Sequence, residues 1–279
     1  MPTTTVQLSG GNATVAYEIT GTGPGVVLVH GTSAGRAQWA PLTAEIADRY
    51  TVLALDYSGS GDTVDHGGPL TLGDLAAEVR AAADHAGLDR FHLVGHSLGS
   101  AIAAHLAATD PQRVRSLLLH AGWVRTDTRM DAEFRYWIGL FRADAEHGTT
   151  LLAQHLTLAA FGPGYWSRIS AEEHAAVVKQ FVEMIAPGTD RQTEVDRTVD
   201  LSGLLDRITA PTLVLASAHD RIIPAEQQQQ LVAAIPDARY AEIDAGHGAP
   251  AEAPEDFHAK IIGFLGAQSA EPRKTPDIQ

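Results

Sequence analysis

Cysteine is absent from the 279 residues, which removes disulfides, thiolate metal sites and a cysteine nucleophile from consideration. Positive charge is scarce as well: 20 Lys and Arg stand against 34 Asp and Glu, for a formal charge of −14. A chain so acidic repels phosphate backbones and anionic lipid headgroups, so neither nucleic acid nor a membrane surface is an expected partner. No apolar run approaches a membrane span. The start, Met1-Pro2-Thr3-Thr4-Thr5-Val6-Gln7-Leu8, has neither the basic region nor the apolar stretch of a secretory signal. The expected compartment is the cytoplasm.

What is present is apolar content. Hydrophobic residues make up 44% of the chain, enough for a substantial core, and the length slightly exceeds that of a modal domain. One domain carrying an insertion is the simplest expectation. Apolar runs at 4–8, 13–20, 26–30, 51–55, 91–94, 114–119, 212–216 and 239–243 alternate with helical patterns at 42–48, 72–86, 98–109, 225–234 and 254–265. Such alternation predicts an α/β fold with a mostly parallel eight-stranded sheet flanked by helices. The first two strands, joined by Ser9-Gly10-Gly11-Asn12, predict an antiparallel hairpin at the sheet edge. Between Trp123 and Arg207 strand-like runs vanish. Segments near 131–146, 151–161, 171–185 and 193–205 are helical in pattern and separated by Gly and Pro. The expected division is therefore a core at 1–122 and 208–267, a helical cap at 123–207 inserted after the sixth strand, and a flexible tail at 268–279.

One motif carries chemistry. Gly95-His96-Ser97-Leu98-Gly99 lies between an apolar strand and a run of helix formers, the context in which a serine sits on a strained strand-to-helix turn with its hydroxyl exposed. A second G-x-S-x-G, Gly31-Thr32-Ser33-Ala34-Gly35, also follows a strand, but no helix begins at once after it. Context therefore makes Ser97 the candidate nucleophile and leaves Ser33 a loop residue. A serine needs a base to take its proton and an acid to hold that base. Thirteen histidines are available, and His30, His96, His105 and His120 fall in or beside strands and helices. His247 instead sits in Asp244-Ala245-Gly246-His247-Gly248, just beyond the last strand. Loops at the carboxyl ends of parallel strands gather at one rim of a sheet, which makes His247 the expected base. By the same logic Asp220, after the seventh strand, is the expected acid, with Asp127 as the fallback and Asp244 as a turn residue. For a developing oxyanion, two backbone N–H groups are required. Leu98, at the start of its helix, and Thr32, beside Gly31, are the expected donors.

On these residues the chain resembles the α/β-hydrolase superfamily, in particular capped members with an N-terminal hairpin. The resemblance rests on His30-Gly31 with Trp39 downstream, Leu55-Asp56-Tyr57-Ser58-Gly59-Ser60-Gly61, the turn at 95–99, the Asp220–Pro224 segment and Gly246-His247. It spans residues 4–266 and the order Ser, Asp, His. Relatives that hydrolyse epoxides or haloalkanes place aspartate at the turn, so Ser97 argues against both. Where relatives often carry serine after Gly61, this chain has Asp62-Thr63.

The resemblance implies a serine hydrolase that cleaves an ester, thioester or lactone through an acyl-enzyme, with a small-molecule substrate as partner and neither metal nor organic cofactor; the apolar content of the cap and the acidic charge favour a neutral or hydrophobic acyl compound. Substrate contacts are expected from Ser33 and from the cap aromatics Trp123, Trp137, Phe141 and Phe161. Other reactions stay open on this fold: carbon–carbon bond hydrolysis, perhydrolysis, and, in a different class, non-catalytic binding of a small ligand. A homo-oligomer is also left open.

Overall fold

The computed structural model describes residues 1–269. Eight strands form a single sheet: β1 (Thr3–Gln7), β2 (Asn12–Thr20), β3 (Gly25–Val29), β4 (Thr51–Asp56), β5 (Phe91–His96), β6 (Val114–His120), β7 (Thr212–Ser217) and β8 (Ala238–Ile243). Their spatial order is β1-β2-β4-β3-β5-β6-β7-β8. β1 pairs antiparallel with β2 and β2 antiparallel with β4, while every later pair is parallel. All eight strands fall where the apolar runs place them. Val/Leu-rich runs such as Gly25–Val29 are buried at every position, because helices cover both sheet faces.

Two apolar layers result. On one face α2 (Leu72–His85), α3 (Leu98–Thr109) and α9 (Ala225–Ala234) pack through Leu75, Val79, Ile102 and Leu231. On the other, α1 (Ala40–Ile46), the short α10 (Ala249–Glu252) and α11 (Pro254–Ser269) pack through Leu42, Ile46, Ala249, Phe257 and Ile261. Local chemistry sets the helix starts. Thr71 and Asp74 form a reciprocal capping box at α2, satisfying two amides that the first turn leaves without partners. The Asp74 carboxylate also accepts from the Ser9 amide at 2.7 Å, tying the hairpin turn to α2.

A large helical insertion separates β6 from β7. It comprises α4 (Thr128–His147), α5 (Leu151–Ala160), α6 (Pro163–Trp166), α7 (Ala171–Met184) and α8 (Thr189–Thr198). Its last helix differs from the expected 193–205. α8 begins just after Pro187-Gly188 and stops at Thr198, because residues 199–201 run extended beside 124–126: Thr126 N donates to Val199 O at 3.0 Å and Leu201 N to Val124 O at 2.8 Å. The inserted segment is thus closed at its base by its own two ends. At the other terminus α11 continues to Ser269, past the expected end at 265. The rest of the expected tail, from residue 270, lies outside the described residues. Among the described residues no helix is long and apolar enough to cross a membrane.

Candidate active site

Ser97 joins β5 directly to α3 with φ 54° and ψ −122°, a backbone conformation that L residues rarely adopt and that costs of order 1–3 kcal/mol. The turn closes because its neighbours lack side chains. A Cβ on Gly95 would lie 2.2 Å from the Gly99 carbonyl oxygen, and one on Gly99 would lie 2.2 Å from that of Val29. The Ser100 hydroxyl reinforces the turn, its one proton within reach of the carbonyl oxygens of both Gly95 and His120 at 2.8 and 2.7 Å.

Three side chains meet at the carboxyl rim of the sheet. Nε2 of His247 lies 3.1 Å from Oγ of Ser97, and Nδ1 lies 2.9 Å from Oδ2 of Asp220. The other carboxylate oxygen, Oδ1, accepts from the amides of Ile222 and Ile223 at 2.9 and 2.8 Å. Asp220 is therefore a satisfied anion: its acceptors are filled by donors, and the Nδ1–H of His247 is the donor left for Oδ2. Ser97, His247 and Asp220 are all buried, which strengthens each of these interactions relative to water. The arrangement is that of a serine-hydrolase triad.

The other candidate acids lie elsewhere. Asp127 caps α4, accepting from Met130 N at 2.9 Å, and takes a second hydrogen bond from Gln227. Asp244 is exposed and pairs with His219 at 2.8 Å. Asp62 is exposed and pairs with Arg36 at 2.9 Å. Among the histidines, His120 links Nδ1 of His96 at 2.8 Å to Ser217 Oγ at 3.0 Å. Burial holds both His96 and His120 well below the ordinary imidazole value, so both are neutral. His96 does not simply turn away from the site as a strand residue would; its ring stands 5.1 Å from that of His247 and borders the same cavity.

Thr32 and Leu98 flank Ser97, and among the described residues neither backbone amide donates a hydrogen bond. Ser33, next to Thr32, is a second residue at positive φ, 66°. Both strained serines thus border the same space. A cavity of about 150 Å³ opens there, lined by Thr32, Ser33, Gln38 and Ser97 on the core side and by Trp137, Leu156, Phe181 and Met184 of the insertion. Three of the aromatic residues expected at the substrate are not in that lining. Trp123 is buried and donates from Nε1 to Thr126; Phe141 borders a separate groove beside Thr149 and Val182; Phe161 is stacked on Tyr165 with ring centres 4.1 Å apart. Each holds the insertion together, as aromatic side chains in a helical layer usually do.

The insertion grips every loop of the site. Arg129 of α4 donates to the carbonyls of Arg221 and Ile222, beside Asp220. Gly248 N donates to Ala160 O at 2.8 Å, and Glu252 Oε2 accepts from both Gly162 N and Gly246 N, which anchors the His247 loop. The Thr32–Ser33 loop is held by α8: Ser33 N donates to Gln192 Oε1 at 3.0 Å, and Thr32 Oγ1 lies 2.6 Å from Asp196 Oδ2. None of Arg129, Glu252, Gln192 or Asp196 stands out in a motif. In α8, Thr189, Gln192, Thr193 and Asp196 share the i, i+3, i+4, i+7 spacing of one helix face, but only the structure shows that this polar face is buried. Among the described residues no group of three or more His, Asp or Glu could hold a metal ion.

Comparison with known proteins agrees with this geometry. Residues 24–254 match the family described as the alpha/beta hydrolase fold. The pyrrolizixenacetamide deacetylase of Xenorhabdus hominickii is 38% identical over 258 residues, 91% of this chain and 96% of that protein. A thermophilic esterase from Thermogutta terrifontis superposes with a TM-score of 0.83 at 25% identity, covering 96% of this chain and 99% of that one. The enol-lactonase of Burkholderia xenovorans LB400 superposes at 0.79, also at 25% identity, covering 94% and 100%. The chain belongs to the α/β-hydrolase family.

Proposed function

We propose that the protein hydrolyses an ester of a small, neutral and largely apolar acyl compound through an acyl-enzyme on Ser97. The observation that carries this reading is the unbroken line of hydrogen-bond distances from Asp220 through His247 to Ser97 Oγ. In this reading Oγ attacks the carbonyl carbon while His247 Nε2 takes the hydroxyl proton, and Asp220 stabilises the imidazolium that forms. The negative charge on the carbonyl oxygen falls between the amides of Thr32 and Leu98, whose dipoles are already in place before the reaction. The tetrahedral intermediate collapses as His247 protonates the leaving alcohol. Water then enters, His247 takes its proton, and attack on the acyl-enzyme releases the acid and restores Ser97.

The lining argues for the acyl class. Trp137, Leu156, Phe181 and Met184 offer apolar surface, and the acidic chain disfavours a polyanionic substrate. In this reading residues 1–122 and 208–267 form the catalytic core and 123–207 form its cap. Thioesters and lactones share the same carbonyl chemistry and belong to the same proposal. A second reading, hydrolysis of an acetamide, is favoured by the 38% identity to a deacetylase. Steady-state rates on p-nitrophenyl acetate and p-nitroacetanilide separate the two. The ester reading predicts turnover of the former and none of the latter; the reverse order would favour the amide.

A further inference from the structure

The loop that carries the Thr32 amide has little to hold it from within. It is a short connection after β3, with Ser33 at φ 66°. Its external partners come from the far end of the insertion. Ser33 N donates to Gln192 Oε1 at 3.0 Å, Ser33 O accepts from Ala186 N at 3.2 Å, and the hydroxyl of Thr32 meets Asp196 Oδ2 at 2.6 Å, 164 positions along the chain. Gln192 is fixed in turn by donating from Nε2 to Ser58 O at 3.1 Å. The Ser33 backbone is thus clamped on both sides, and Thr32 is held by its side chain alone.

Asp196 is an unusual group to find doing this. Only 1% of it is exposed. Its second oxygen, Oδ1, has no hydrogen-bond partner among the described residues. No ion pair involving it occurs among them either. Burying a carboxyl group with one oxygen unpaired and no cation beside it opposes folding. Its benefit must therefore be sought in where it holds Thr32.

We propose that Asp196 is a positioning residue: through the Thr32 hydroxyl it sets the direction of the Thr32 amide, and so makes the helical insertion part of the device that stabilises the oxyanion. The inference rests on the reading of Thr32 and Leu98 as the oxyanion donors. Burial pushes the Asp196 carboxyl up to about 8, which suits this place, because a neutral acid adds no repulsion to the charge that develops nearby. The amide must point at an oxygen that becomes charged only in the transition state, so an error in its direction lowers kcat far more than it weakens substrate binding.

The test uses the full chain with p-nitrophenyl butanoate as substrate and butylboronic acid as a tetrahedral analogue. Asp196→Leu is expected to lower kcat by about 10- to 100-fold with KM changed less than about threefold, and to weaken boronate binding in parallel. Asp196→Asn keeps an acceptor for Thr32 and is expected to retain kcat within about threefold. Thr32→Val removes the hydroxyl but keeps the amide, and is expected to reproduce the loss; the Thr32→Val/Asp196→Leu pair should be no worse than either single change. Should Asp196→Leu fail to fold, Thr32→Val and Asp196→Asn carry the test alone. Full kcat in Thr32→Val, a loss confined to KM, or additive losses would overturn the inference. Ser97→Ala keeps the two failures apart. If it abolishes turnover while Thr32→Val retains it, only the role of Asp196 is wrong; if Ser97→Ala still turns over, the reading of the site fails first.

Discussion

Nε2 of His247 lies 3.1 Å from Oγ of Ser97, although 150 positions separate them along the chain. The contact exists because β5 and β8 run parallel in one sheet, so the loops that follow them open at the same rim. Groups that act as one unit lose their effect together. Ser97→Ala and His247→Ala should each lower kcat by on the order of 10⁴ or more, and the double variant should be no slower than either. Multiplicative losses in a cycle of kcat measurements would show that the two act separately.

Asp220 offers a sharper test of the same unit. Its Oδ1 is filled by the amides of Ile222 and Ile223, so an Asn at this position keeps oxygen there and turns its NH₂ toward His247 Nδ1. That donor requires Nδ1 to be the unprotonated nitrogen and places the proton on Nε2, facing Ser97. Asp220→Asn should therefore lower kcat by roughly 10⁴-fold with little change in Tm. A loss below tenfold would show that Asp220 does not set the tautomer.

Cavity size predicts a chain-length limit. The space beside Ser97 measures about 150 Å³, the size that holds a benzene-like group. Across p-nitrophenyl esters, kcat/KM should peak at acyl chains of about two to six carbons and fall by tenfold or more at about ten. Trp137 forms part of the wall, so Trp137→Ala should move the limit to longer chains. Equal rates at four and ten carbons would contradict a pocket of this depth.

Stability should carry the mark of Asp196. Between the ordinary carboxyl value of 3.8 and about 8, the folded chain keeps a proton on Asp196 that the unfolded chain has released. Its contribution is therefore most favourable below about pH 4 and is lost as pH rises through about 8. Glu78, pushed up to about 7 by burial, acts in the same direction. Buried histidines oppose it: His30 is lowered to about 4 by desolvation, so acid below about pH 6.5 favours the unfolded chain. Since the slopes oppose, the informative quantity is a difference. The Tm of Asp196→Asn minus that of the wild type should increase from pH 5 to pH 8; a difference independent of pH would contradict a neutral Asp196.

The sheet and its rim are legible in the sequence because both depend on local signals. Val/Leu runs bounded by turn residues mark the strands, and Gly95 and Gly99 mark a strand-to-helix turn too tight for side chains. Ser97, His247 and Asp220 follow from where those runs end. The insertion is less legible. Its pattern shows helices near 131–146 and 151–161 but not which faces meet the cavity, so Trp137 borders it while Trp123 and Phe161 serve packing. The end of α8 is set by pairing of 199–201 with 124–126, a contact no local pattern announces. Asp196 and Gln192 look like solvated helix residues beside Arg191, Glu194 and Arg197, and become legible only once the buried polar stripe of α8 is seen to face the Thr32 loop.

The account stands most directly on Ser97 being an activated nucleophile, and a fluorophosphonate probe measures that property without knowledge of the substrate. Intact mass and peptide mapping should show one phosphonyl adduct, on Ser97, formed within minutes by the wild type and suppressed in His247→Ala. No adduct, or an adduct elsewhere with Ser97 unmodified, would contradict the account.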